Sequence, residues 1–385
     1  MSTVALFACK KEATEDPIQA IVDPLLSQKN QFKTTYANIA FAVYDDSYQG
    51  CILLEEKINV FVNNPTESNF SACKNEWLAV REVYGLTEAF RFAEGPIDNE
   101  ANGPEGLINA WPMDEAYVDY VVGNPDAGII NNNADYPIIN ASTLLAANEN
   151  GGETNIALGF HAIEFLLWGQ DLSANTAGTR PFTDYLTLGG TANNADRRSQ
   201  YLAVAAEILV AGLKQVRDAW DPSINNNYRS TFLTSNSNSF LRDVFNSLKV
   251  MSGFELSGER MYVAYENANQ EDEHSCFSDN THRDIFLNAQ GMYNIYLGSY
   301  TRADGTIIDS YGLSDLVSEV NAPMNQATVL AFENSIQQIN EMYIPFDQAI
   351  VLAEERPKVL EAVEALQLLD DQLTITASTS FGIIF

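Results

Sequence analysis

Positive charge is scarce in this chain. Its 385 residues carry 21 Lys and Arg against 52 Asp and Glu, a formal net charge of -31. Such a surface repels phosphate backbones and anionic headgroups, which excludes nucleic acid as a natural partner. Long apolar runs are missing too, since nothing approaches the ~18 to 20 consecutive apolar residues that cross a bilayer. Histidine occurs three times and cysteine four. Cys9 falls in a candidate leader, which leaves Cys51, Cys73 and Cys276, an odd set that cannot be used up in disulfides. Cys51 and Cys73 stand at different distances from the turn joining their helices, so all three are expected as small core residues.

What is present is a large core: 46% of residues are hydrophobic and 19% charged, the composition of a folded protein. The length exceeds what one core serves, which predicts two domains. Apolar residues recur at three and four spacing from Gln31 to Val62, and Asn63-Asn64-Pro65-Thr66 ends that helix. Further helices are expected near 71–92, 112–122, 142–150, 154–168, 197–220, 239–267, 281–297, 315–343 with a break at Pro323, and 357–376. No stretch alternates with period two long enough to build a sheet. The expectation is an all-α protein: a tether over 1–30, an N-terminal bundle over 31–190, and a C-terminal bundle over 191–385, divided at the Gly- and Pro-containing loop between Gln170 and Asn194.

The run Met1-Ser2-Thr3-Val4-Ala5-Leu6-Phe7-Ala8-Cys9, followed by Lys10-Lys11-Glu12, has the form of the end of an apolar signal segment closing on a lipobox. Cys9 is then the residue to be lipidated, and the body of the protein would stand outside the cytoplasm on a lipid anchor.

The run Gly159-Phe160-His161-Ala162-Ile163-Glu164 puts an imidazole and a carboxylate one helical turn apart, where an ion could bridge them or the two could share a core hydrogen bond. Helical zinc-peptidase signatures need a second histidine, but Ala162 and Phe165 stand where it would be. A zinc ion here would need ligands from elsewhere in the chain.

Trp77, Arg81, Tyr84, Glu88 and Arg91 follow at core spacing but carry polar groups. This implies either an ion-pair network facing a cavity or a solvated face. Near 111–120, Asp114 suits the first turn of a helix, whereas Asp119 lies deeper. In the second half, Glu255, Glu259 and Arg260 precede the loop Glu271-Asp272-Glu273-His274-Ser275-Cys276-Phe277-Ser278-Asp279 and His282, either a solvated acidic loop or the ordered wall of a site.

Together, Trp77, Arg81, Tyr84, the run 87–92, Gly95-Pro96-Ile97-Asp98, Asn109-Ala110-Trp111-Pro112-Met113-Asp114, the GxHxxE run and Phe277-Ser278-Asp279 resemble the imelysin-like family. That resemblance implies two similar four-helix bundles side by side with a site at their interface. It also implies a part in bacterial iron uptake, although imelysin itself was named as an insulin-cleaving membrane protease and filed with the metallopeptidases. On this reading His161 and Glu164 contact iron, or an iron-bearing ligand such as a chelate or haem. Trp77, Arg81, Tyr84, Glu88, Arg91, Asp114, Asp119, Glu259, Arg260, Glu273, Ser278 and Asp279 form its walls. Other iron-uptake proteins are the expected partners, and the periplasm or cell surface the expected location. The alternative is a zinc-dependent peptidase in which Glu164 is catalytic.

Overall fold

The computed structural model describes residues 23–385. The leader expected around Cys9 lies outside them. Fifteen α-helices are described, in chain order α1 (Leu26–Asn63), α2 (Glu67–Thr87), α3 (Glu105–Ile108), α4 (Glu115–Val118), α5 (Gly128–Asn131), α6 (Ala141–Ala147), α7 (Gly159–Trp168), α8 (Ala195–Trp220), α9 (Tyr228–Thr234), α10 (Ser237–Lys249), α11 (Val263–Asn267), α12 (Thr281–Leu297), α13 (Leu313–Glu341), α14 (Phe346–Val351) and α15 (Arg356–Phe381). The fold is all-α, and the only sheet among the described residues is a two-stranded antiparallel ribbon, β1 (Ser299–Thr301) with β2 (Ile307–Asp309). No helix among them is long and apolar enough to cross a membrane.

Helix ends follow local chemistry. Thr66 accepts from the Asn69 N–H and starts α2 four residues before the expected Ser71. The break expected at Pro323 falls instead at Asn321 (φ -156°, ψ 82°), whose side chain accepts from the Met324 N–H. Pro323 then occupies the first turn of the second half, where its missing N–H costs nothing. The helix expected over 112–122 shrinks to α4, because the backbone becomes extended at Asp119. α7 starts at Gly159 rather than Thr154, since the Ala157 and Leu158 N–H groups donate to the Asn148 side chain instead of entering a helix. α9 and α14, too short for periodicity to show, were not anticipated.

α1 packs along α2 and α8, and α7 lies on α8 and α2. In the second set α13 packs on α15 and α12, while α15 also lies against α10 and its continuation. The expected cut at 190/191 assigns α8 to the C-terminal half, yet α8 lies along α1, so it groups with the N-terminal helices. α2 against α12 is the main seam between the two sets. The backbones come close there, because a Cβ on Gly291 would stand 2.5 Å from the Leu86 carbonyl oxygen. All three described cysteines are buried and unpaired, as expected.

α10 continues into a π-helical stretch, Val250–Tyr262. In that winding hydrogen bonds run from i to i+5, so Glu255 and Arg260 share a face. Arg260 reaches Glu255 Oε1 at 2.8 Å as well as partners on α12 and at the end of α2.

The start of α7 fixes where the site stands. Gly159 has φ +89°, and a Cβ there would sit 2.6 Å from the Ile108 carbonyl oxygen. Left-handed backbone and backbone contact together admit no side chain. Gly159→Ala is expected to destabilise the fold by about 2 kcal/mol or more, read as a lower midpoint with unchanged slope in urea unfolding.

Candidate functional site

A buried carboxylate at the start of α12 organises the seam. Asp284 accepts from Arg81 of α2 (Nη2 at 2.8 Å, Nε at 3.3 Å), from the Ser275 hydroxyl at 2.5 Å, and from His274 Nδ1 at 3.1 Å. Burial works against its charge, but Arg81 and His274 outweigh that and hold its pKa far below the usual carboxylate range. Arg81 also donates to Asn109 Oδ1 at 2.6 Å and lies over the rings of Trp77, Tyr84 and Phe160. The Asn109 amide in turn meets His274 Nε2 at 3.4 Å. His274 therefore carries its hydrogen on Nδ1, toward Asp284, and burial pushes its pKa down to about 4.

His161 and Glu164 lie on the adjoining face of α7, fully buried. His161 Nδ1 is 3.0 Å from Glu164 Oε2, while Oε1 accepts from the Ser278 N–H (2.9 Å) and hydroxyl (2.6 Å). Burial raises Glu164 to about 8, against the pull of Ser278, and burial holds His161 well below the usual imidazole value. Both shifts favour the uncharged forms. Two donors occupy Oε1, so the proton of a neutral Glu164 would sit on Oε2 and be donated to Nδ1. His161 Nε2, also buried, has no partner. A cation at Nε2 would need its lone pair, which shifts the imidazole hydrogen to Nδ1 and leaves Glu164 as an ionised acceptor behind it. The structure thus places Glu164 behind His161, with both oxygens engaged, rather than beside it.

Next to this pair opens a cavity of about 470 Å³, lined by Asn109, Trp111 and His274 together with charged groups from the segment after α2, from α3 and from the π-helical stretch. Its wall holds six carboxylates, Glu105, Glu149, Glu153, Glu255, Glu259 and Asp272, against Arg91 and Arg260. Glu88 lies behind that wall. Burial opposes its charge, but Arg260 (2.5 Å) and Arg91 (3.4 Å) hold its pKa at about 2. His161 is not on the wall. The Trp111 ring packs 5.0 Å from its ring and that of His274 4.7 Å, so a ligand in the cavity meets Trp111 first.

The structure brings Trp77, Arg81, Tyr84, Glu88, Arg91, Arg260, Ser278, His161 and Glu164 together around this seam, with Glu259 on the cavity wall. It gives two predicted wall residues other work. Asp114 is exposed and caps α4 by accepting from the Ala116 N–H at 3.0 Å. Asp119 pairs with Arg180 (2.6 Å) and Arg198 (2.7 Å) in a separate buried network. Glu273 and Asp279 fall among other acids, Asp171 and Asp347. The loop from Glu273 to Phe277 is buried, not solvated, while His282 stands apart, its Nδ1 on the Asp279 carbonyl. Asp284 escaped the sequence reading because an acid in a helix's first turn is ordinary. The signal available was Arg81, which demanded a buried counterion.

The imelysin family model matches residues 40–373. Iron-regulated protein A of Synechococcus elongatus is 24% identical over 332 residues, covering 84% of this chain and 78% of that protein. Two solved structures share the fold. One, described as an iron-regulated protein A precursor from Parabacteroides distasonis, has TM-score 0.72 and 17% identity, covering 94% of this chain and 97% of that one. The other, an imelysin-like protein from Psychrobacter arcticum, has TM-score 0.63 and 14% identity, covering 93% and 96%.

Two outcomes test the electrostatics. Removing one partner of a buried ion pair strands the other, so Asp284→Asn is expected to cost about 3 kcal/mol at pH 7. The depressed pKa of Asp284 stabilises the fold above the unfolded value near ~4 and loses that contribution as pH falls below it. The variant's deficit should therefore narrow on acidification below about pH 4, read in denaturant titrations at stepped pH. Glu164 has the opposite sign. Its raised pKa means that the folded chain keeps a proton the unfolded chain gives up, so stability falls as pH rises from about 4.3 toward 8. Glu164→Gln, which can still donate to His161 and accept from Ser278, should fold and show a flatter stability profile across that window.

Proposed function

The chain belongs to the imelysin family, and from that premise we propose that it binds iron, or an iron-bearing ligand, at His161 between its two helix sets, reached from the adjoining cavity past Trp111, as an exported protein of bacterial iron uptake. The observation that carries this is His161: a fully buried imidazole whose Nε2 has no partner and whose Nδ1 is backed by a carboxylate. A buried unpartnered polar atom is costly unless a ligand satisfies it, and the carboxylate behind it raises its basicity as a donor. The names of the relatives in Synechococcus elongatus and Parabacteroides distasonis point toward iron regulation.

The donor set narrows the ligand. Among the described residues no third His, Cys, Asp or Glu converges with His161 and Glu164 to complete a metal-binding group, so an ion at Nε2 must bring its remaining ligands. The surplus of carboxylates on the cavity wall favours a cationic or hydrated iron species over an anionic chelate or a haem with its two carboxylates. The same count weighs against the zinc-peptidase reading. Catalytic zinc takes three protein ligands and an activated water, whereas Glu164, the candidate base, is held by His161 and Ser278.

Anaerobic titration with ferrous iron, zinc and haem, followed by metal analysis of wild type and His161→Ala, tests the proposal. Iron should be retained by wild type and lost by the variant, with a preference over haem. If neither protein retains iron, the proposal fails. Chelator-sensitive hydrolysis of a peptide that Glu164→Gln abolishes would establish the peptidase reading instead.

A further inference from the structure

A second group of acids lies at the other end of the 273–280 loop. Asp171 follows α7, Asp279 closes the loop before α12, and Asp347 opens α14; one oxygen from each lies within 4.8 Å of the others. Asp171, Asp347 and neighbouring Glu273 are 3%, 2% and 1% exposed. Both oxygens of Asp347, both of Glu273, and Oδ1 of Asp279 have no hydrogen-bond partner. Burial raises the Glu273 pKa well above the usual carboxylate range against a smaller pull from the Thr281 hydroxyl, and no hydrogen bond of normal geometry reaches either of its oxygens. Asp171 alone is served, by the Ser173 N–H at 3.0 Å and the Gln270 amide at 3.2 Å.

Nothing in this cluster neutralises it. Burial raises all four carboxyls, and the charge of neighbouring acids adds to it at Asp171, Asp279 and Glu273, taking Asp171 to about 6 and Asp279 to about 7. Carboxylates without partners at this depth are destabilising, because burying an unpaired charge is among the costliest things a fold can do. Buried acids of this kind occur where they coordinate a metal. We propose that Asp171, Asp279 and Asp347, with Glu273 beside them, bind one hard divalent cation of the calcium type.

The chemistry of the donors selects the ion. All are carboxylate oxygens, with no imidazole or thiolate, which disfavours zinc and copper. Calcium takes oxygens at ~2.3 to 2.6 Å, so its ligands stand at most about 5 Å apart, and three oxygens that lie within 4.8 Å of one another can share one such ion. Magnesium keeps several of its waters and is held by about one or two carboxylates, so a site of three or four protein carboxylates suits calcium better. Asp279 is partly exposed and gives the ion a way in. Once bound, the ion joins the segment after α7, the loop before α12 and the start of α14. Gln348, next to Asp347, already bonds the Ala174 carbonyl across that gap. The site is separate from the iron proposal, since it shares no ligand with His161.

Calorimetric titration of the chelator-treated full chain with calcium chloride, and in parallel with magnesium chloride, tests it. One calcium per chain should bind saturably and more tightly than magnesium, and should raise the melting temperature by several degrees. Asp347→Asn should weaken calcium binding by about tenfold or more and abolish the thermal shift, while its metal-free form melts no lower than wild type because repulsion has been relieved. Asp171→Asn is the second variant, should the first fail to fold. His161→Ala should bind calcium as wild type does, which keeps this result distinct from the iron test. Absence of saturable calcium binding, tighter binding of magnesium, or undiminished binding in both aspartate variants would overturn the proposal.

Discussion

The buried pairing of Asp284 with Arg81 is the constraint on which the rest of the site depends. A guanidinium and a carboxylate taken out of water repay their desolvation only when geometry is good and every other polar atom is satisfied. Here the carboxylate also takes Ser275 and His274, and the guanidinium also takes Asn109 and three aromatic faces. These contacts draw together five segments: α2, the residue after α3, α7, the loop before α12, and α12 itself. The ion pair thus fixes the register of α2 on α12 and, through His274, sets the ring that packs on His161.

Beside this charged pair stands a neutral one. His161 and Glu164 are as deeply buried as Arg81 and Asp284, yet no guanidinium bonds to Glu164, and burial decides in favour of the uncharged forms. The contrast has a functional sense. A salt bridge is complete and holds structure, whereas a neutral His–Glu pair with one free nitrogen is incomplete and can exchange its internal proton for a cation. Trp111 keeps that nitrogen dry, so the charge change would take place where few other groups can screen it.

Much of this was legible in the sequence where period and chemistry coincide. The long helices α1, α8 and α12 followed from apolar spacing and from Gly and Pro at their ends. The stripe from Trp77 to Arg91 announced buried ionic work because charged groups stood at core positions. Between 101 and 158 little beyond the short helix α6 was legible. The conformation of the rest is set by distant partners, such as Arg180 and Arg198 drawing Asp119 out of a helix, and Asn148 holding the backbone ahead of Gly159. The cluster of Asp171, Asp279 and Asp347 was hidden for the same reason. Only Asp279 fell in a recognisable run, and in a chain with 52 acids two more without spacing or motif carry no signal until the fold brings them together.

The loop from Glu273 to Asn280 links these parts. His274 and Ser275 serve Asp284, Ser278 holds Glu164, and Glu273 and Asp279 belong to the acidic cluster, all within seven residues. Ser278 and Asp279 are adjacent, so a shift in one carboxylate's partner is transmitted through a single peptide unit to the other. The two proposed ligand sites share this short, buried segment, and sites so joined would exchange free energy reciprocally. Whatever orders the loop from the acidic side lowers the entropy lost when Glu164 and His161 are fixed around a ligand. The segment that the sequence left open as a solvated acidic loop or the wall of a site is therefore the element through which both proposed sites are joined.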